Sequence, residues 1–82
     1  MIQLSLYGTL GCHLCEEAEQ LLNHWQAHNP GKIKLTLVDI ADDATMMEQY
    51  GIRIPVIRNQ QSGAELGWPF DASRLAAFLM AQ

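Results

Sequence analysis

The feature that most constrains this chain is a change of hydrophobic period at residue 12. Upstream, Ile2-Gln3-Leu4-Ser5-Leu6 alternates apolar and polar side chains, which is the period of a strand. Downstream, Leu14, Ala18, Leu21, Leu22 and Trp25 recur at helical spacing and mark one apolar face. Both cysteines of the chain, Cys12 and Cys15, lie at this junction in Cys12-His13-Leu14-Cys15. Backbone N–H groups at a helix start have no carbonyl partners, and the helix dipole is positive there. A Cys12 thiolate is stabilised by both, so its pKa is expected below the usual ~8.5. Cys15 follows one turn later, at about the 5.5–6 Å Cα separation that a disulfide needs. The motif therefore reads as a site for thiol–disulfide exchange, with Cys12 as nucleophile and Cys15 as the residue that closes the ring.

The rest of the chain supplies a frame for that junction. A first strand covers about Ile2 to Tyr7, and Gly8, Thr9 and Gly11 form a turn that brings the backbone close to the cysteines. The first helix runs from about Cys12 to His28, stopped by Asn29-Pro30-Gly31. Lys32 to Ile40 is a second strand whose apolar run suits a central or parallel position. Asp42 or Asp43 caps a short helix through about Tyr50, with Met46, Met47 and Tyr50 on its core side. The segment from Gly51 to Arg58 leads into a third strand, Asn59 to Gly63 is a hairpin turn, and Ala64 to Gly67 is a fourth strand. After the irregular Gly67-Trp68-Pro69-Phe70, Asp71 or Ser73 starts a last helix through about Met80, with Leu75, Phe78 and Leu79 inward. The order is βαβαββα in one domain spanning residues 1–82, an α/β arrangement.

Charge and composition remove several classes of function. The net charge is −4 with only five lysines and arginines, and no basic run is present. Nucleic acid and anionic membrane surfaces are therefore not expected partners. No stretch approaches the ~20 apolar residues of a membrane span, and the N-terminus lacks the pattern of a secretory leader. A cytoplasmic protein is expected, where a lone cysteine pair is more often catalytic or metal-binding than structural. No metal site is expected within one chain. Zinc wants four ligands, and nine residues put His24 ~14 Å along the helix axis from Cys15.

Four elements in this order resemble the glutaredoxins of the thioredoxin superfamily, most closely the short bacterial glutaredoxin-like proteins. They are the opening strand, Cys12-His13-Leu14-Cys15 at a helix start, Ile54-Pro55 at the head of a hairpin, and a glycine-containing segment followed by Asp71 and a helix. The resemblance implies a thioredoxin-like, glutaredoxin-type fold with a four-stranded mixed sheet flanked by three helices. It implies catalysis by Cys12 and Cys15, with His13, Leu14, Ile54, Pro55, Gly67, Trp68 and Asp71 contacting substrate. A proline starting a strand is ordinarily trans; the resemblance implies a cis Ile54-Pro55 bond beside the cysteines, with the Ile54 backbone free to pair with an extended substrate.

The implied activity is thiol–disulfide oxidoreduction on protein disulfides or glutathione mixed disulfides. No tightly bound cofactor is expected, and glutathione or a thioredoxin-reductase-type system would be the reductant. A monomer is expected. The competing reading is a thioredoxin-like adaptor or redox sensor without turnover. Two departures from the family pattern bear on glutathione: Trp68 stands where a second glycine is usual, and no lysine or arginine is near Cys12 in sequence. Arg53 and Arg58 are the cations placed to reach the site in space. His13 has two readings, a cation that steadies the Cys12 thiolate when protonated and an exposed spacer. Trp68 likewise has two, a substrate-contact surface and packing against the last helix.

Overall fold

The computed structural model describes every residue from Met1 to Gln82. Its elements are β1 (Ile2–Gly8), α1 (His13–His28), β2 (Ile33–Asp39), α2 (Ala44–Tyr50), β3 (Val56–Asn59), β4 (Glu65–Gly67) and α3 (Ala72–Met80). The expected βαβαββα order is the observed one. The four strands form one mixed sheet in the order β2-β1-β3-β4. β1 runs parallel to β2 and antiparallel to β3, and β3 runs antiparallel to β4.

Alternation along β1 decides what each face of the sheet carries. Leu4 and Leu6 point to one face and pack with Ala18 and Leu22 of α1 and with Leu75 and Leu79 of α3. Tyr7 points to the other face, where it meets Ile40, Tyr50 of α2 and Val56. The Tyr7 and Tyr50 rings lie 4.7 Å apart between centroids. The sheet is thus the middle of three layers, and β1 is its buried core strand.

Helix ends follow the capping rules. Asp43 caps α2 by accepting from the Met46 N–H at 3.1 Å, and Asp71 caps α3 by accepting from the Arg74 N–H at 2.8 Å. At the hairpin, Gly63 has φ +82°, a left-handed conformation that suits glycine. The Asn59 side chain accepts from the Gln61 and Ser62 N–H groups and holds the turn.

One expectation holds in one of its two forms and another is corrected. The apolar run of β2 is a parallel strand, but at the sheet edge and not at its centre. Leu37 consequently stays 56% exposed, because no further element covers the end of that strand. On α2, Met46 and Tyr50 pack inward while Met47 faces solvent. A helix of seven residues presents only a narrow inward stripe, and Met47 lies off it.

Candidate active site

The dithiol sits where β1 hands over to α1. Gly11, at φ +78°, makes the turn. Cys12 is the N-cap residue of α1 rather than its first helical residue. Its sulfur takes the place of the usual capping oxygen and accepts from the Cys15 N–H at 3.2 Å. The Cys12 carbonyl already accepts the first helical bond, from the Glu16 N–H at 3.2 Å. Cys12 and Cys15 are joined as a disulfide, with Cα atoms 5.2 Å apart. Cys12 is half-buried and Cys15 is buried. An incoming sulfur therefore meets Cys12 first.

Gly8 explains how Cys15 fits. A Cβ at residue 8 would come within 2.8 Å of the Cys15 sulfur, so the absence of a side chain at the end of β1 makes room for it. Across the sheet, Tyr7 pairs with Val56, so the same antiparallel register carried one step further brings Pro55 opposite Gly8. On the other side Gly8 pairs with Asp39. Pro55 and Asp39 thus flank the strand end against which Cys15 packs.

A cleft of about 230 Å³ opens beside the two cysteines, between α1 and the end of β2. Leu6, Leu10 and Leu37 form its apolar side, and Glu16, Glu19 and Asp39 supply its charges. The sequence alone puts Glu16 and Glu19 near the start of the helix and does not say what they face. Asp39 was findable from the parallel pairing of the first two strands, which aligns the end of β2 with Gly8.

The other expected site residues divide into two groups. His13 is highly exposed at the tip of α1, with Nδ1 3.8 Å from Glu16, and Leu14 is exposed beside it. Ile54, Pro55, Gly67 and Trp68 gather across β3 and β4: Val56 pairs with Gly67, and the Trp68 N–H donates to the Pro55 carbonyl at 3.0 Å. The Ile54-Pro55 bond is cis, and so is Trp68-Pro69. The Ile54 backbone is only half free. Its N–H donates to the Tyr50 carbonyl at 3.1 Å.

Trp68 packs onto the main core, edge-on to Phe70 with centroids 5.0 Å apart. It does not line the cysteine cleft. The Asp71 side chain caps α3. Neither arginine reaches the cysteines: Arg53 and Arg58 both bind Glu65, at 3.0 and 2.9 Å. Tyr50 donates to the same carboxylate at 2.6 Å. These three donors hold the Glu65 carboxyl below its ordinary pKa, the Tyr50 hydrogen bond foremost. In return the Glu65 hydrogen bond and burial push the Tyr50 phenol up. No helix is long and apolar enough to cross a membrane.

The profile of the Glutaredoxin-like domain (DUF836) matches residues 3–80. Among solved structures, the chain is similar to the structural-genomics target protein XcR50 from X. campestris, at 46% identity in its X-ray structure. That alignment covers 96% of this chain and 97% of the other, with a TM-score of 0.82. The solution structure of the same target gives 44% identity, 100% and 96% coverage, and a TM-score of 0.80. Protein Ne2328 from Nitrosomonas europaea is 28% identical over 94% of this chain and 89% of its own, with a TM-score of 0.77. No curated protein matches the chain significantly. These likenesses agree with the layered mixed sheet and with a cysteine pair at a helix start: the chain belongs to the glutaredoxin-like domain (DUF836) family, with a thioredoxin-like fold and a Cys-x-x-Cys redox pair.

Proposed function

We propose that the protein is a thiol–disulfide oxidoreductase that reduces disulfides through Cys12 and Cys15. The observation that carries this reading is the hydrogen bond from the Cys15 N–H to the Cys12 sulfur, at the capping position of α1. A donor already aimed at the sulfur stabilises negative charge there, which is what a nucleophilic or leaving thiolate requires. The difference in exposure between the two sulfurs supports the division of roles.

In the reducing direction, the Cys12 thiolate attacks one sulfur of the substrate disulfide. A Cys12–substrate bond forms, the substrate bond breaks, and one substrate thiolate leaves. Cys15 gives its proton to solvent and attacks the Cys12 sulfur. The Cys12–Cys15 disulfide forms and the second substrate thiolate leaves. Two electrons have passed from the protein to the substrate. In the closed ring the Cα atoms are 5.2 Å apart, within the disulfide range. The dithiol is restored by a two-electron reductant, either glutathione or a thioredoxin-reductase-type system. Such chemistry suits the cytoplasm, whose thiol pools keep the pair reduced.

Cys15→Ser protein incubated with a small disulfide tests the mechanism by intact mass. A single adduct on Cys12 is the expected result. Turnover surviving Cys12→Ser overturns the mechanism. A wild-type protein that forms its own disulfide yet never reduces a substrate would be a redox sensor instead.

A further inference from the structure

The charged side chains lining the cleft beside Cys12 and Cys15 are all acidic: Glu16, Glu19 and Asp39. The five basic side chains of the protein lie elsewhere. Lys32 and Lys34 are at the opposite end of β2, since Ile33 pairs with Ile2 while Asp39 pairs with Gly8. Five residues of strand put Lys34 ~16 Å from Asp39. Arg53 and Arg58 are engaged by Glu65, and Arg74 is on α3. His13 is the one group at the tip able to become cationic, and it already faces Glu16.

The rest of the lining is apolar. Leu37 remains exposed because β2 is an edge strand, and it stands in register with Leu6 of β1. The volume of about 230 Å³ is below the ~300–1,000 Å³ typical of small-molecule pockets. It suits one or two side chains of a segment lying across the dithiol, not a whole enclosed ligand.

We propose that this cleft selects protein or peptide disulfides whose target cysteine is flanked by an apolar and a basic side chain. The apolar side chain rests against Leu37 beside Leu6, and the cation faces Glu19 and Asp39. Anionic disulfides, oxidised glutathione among them, meet like charge at the same place and are disfavoured. The inference rests on the oxidoreductase reading and adds its substrate class. The chemistry remains that given above, in which the protein dithiol is oxidised and the peptide disulfide reduced.

The test uses reduced wild-type protein and three blocked peptide disulfides of the pattern X-Leu-Cys-X, with X as Lys, Gln or Glu. Each rate is divided by that of the same peptide with 2-mercaptoethanol, which removes intrinsic reactivity. At low ionic strength the Lys peptide should react about tenfold faster than the Gln peptide, and the Glu peptide slowest. The advantage should shrink near 1 M salt, where the screening length is ~3 Å. Glu19→Gln combined with Asp39→Asn should remove most of the ranking; the asparagine keeps an oxygen for the Ala41 N–H that Asp39 now accepts at 2.9 Å.

Equal normalised rates for the three peptides overturn the selectivity and leave the oxidoreductase reading standing. A ranking that survives the double substitution overturns the assignment to this cleft. Failure of all three peptides to react overturns both readings.

Discussion

The backbone of Gly8 lies directly against the sulfur of Cys15, so close that a methyl group at residue 8 would stand 2.8 Å from it. Strand end and dithiol are thereby one packed unit. Gly8→Ala should force the sulfur or the strand end to move. In the oxidised protein the sulfur is tethered to Cys12 and yields less than in the dithiol. The substitution should cost about 1–3 kcal/mol, the usual range for overpacking, and should cost the oxidised form more than the reduced one. Urea unfolding of both redox forms measures this. The same difference should raise the reduction potential, by ~30 mV for each 1.4 kcal/mol.

Cys12 carries two roles that substitutions can separate. Serine keeps an acceptor at the N-cap, whereas alanine does not. Cys12→Ser and Cys12→Ala should both abolish disulfide reduction. In the reduced state Cys12→Ala should be the less stable of the two by about 1 kcal/mol, the ordinary value of a helix cap. Equal stability would show that the bond from the Cys15 N–H contributes nothing to the fold.

The carboxylate of Glu65 gathers Tyr50, Arg53 and Arg58 on the side of the sheet away from α1. Its folded-state pKa is lowered, so the stability it contributes is present above the unfolded carboxylate value and lost as pH falls through the folded value. The Tyr50 pKa is raised, so its contribution is complete below the unfolded value of ~10 and lost as pH rises through the folded one. Stability should therefore fall at both ends of the pH range. Glu65→Gln should flatten both limbs. Tyr50→Phe should remove the alkaline limb, weaken the acid limb as well because its hydrogen bond is the foremost cause of the lowered Glu65 pKa, and cost about 1–2 kcal/mol at neutral pH. Urea midpoints across pH, at constant ionic strength, check this.

Trp68 packs edge-on against Phe70 at the margin of the main core. Trp68→Gly should lower stability by roughly 2 kcal/mol, less than a fully buried aromatic because the ring is only half-buried. It should leave the rate of glutathione adduct formation by Cys15→Ser protein unchanged. A marked rise in that rate would show the indole to be a barrier to glutathione.

The sequence by itself determined the layout of the fold and the reactive pair. Period-2 alternation through Leu6, helical spacing from Leu14 and the stops at Asn29-Pro30-Gly31 are local signals, because strand and helix periods and capping depend on near neighbours in the chain. The cysteine pair was legible for the same reason: its chemistry depends on its place at a helix start. Tertiary structure decided the rest. β2 carries the apolar run of a buried strand, yet lies at the sheet edge, because strand order depends on pairing between distant segments. The cleft joins Glu16 and Glu19 of α1 to Asp39 at the far end of β2, and only parallel pairing aligns Asp39 with Gly8. Arg53 and Arg58 were candidates for the cysteines until Glu65, arriving on β4, bound them both on the far side of the sheet. Trp68 followed the same logic: its neighbours in sequence do not say what it packs on, and the tertiary structure sets it beside Phe70 on a core built from β1, α1 and α3.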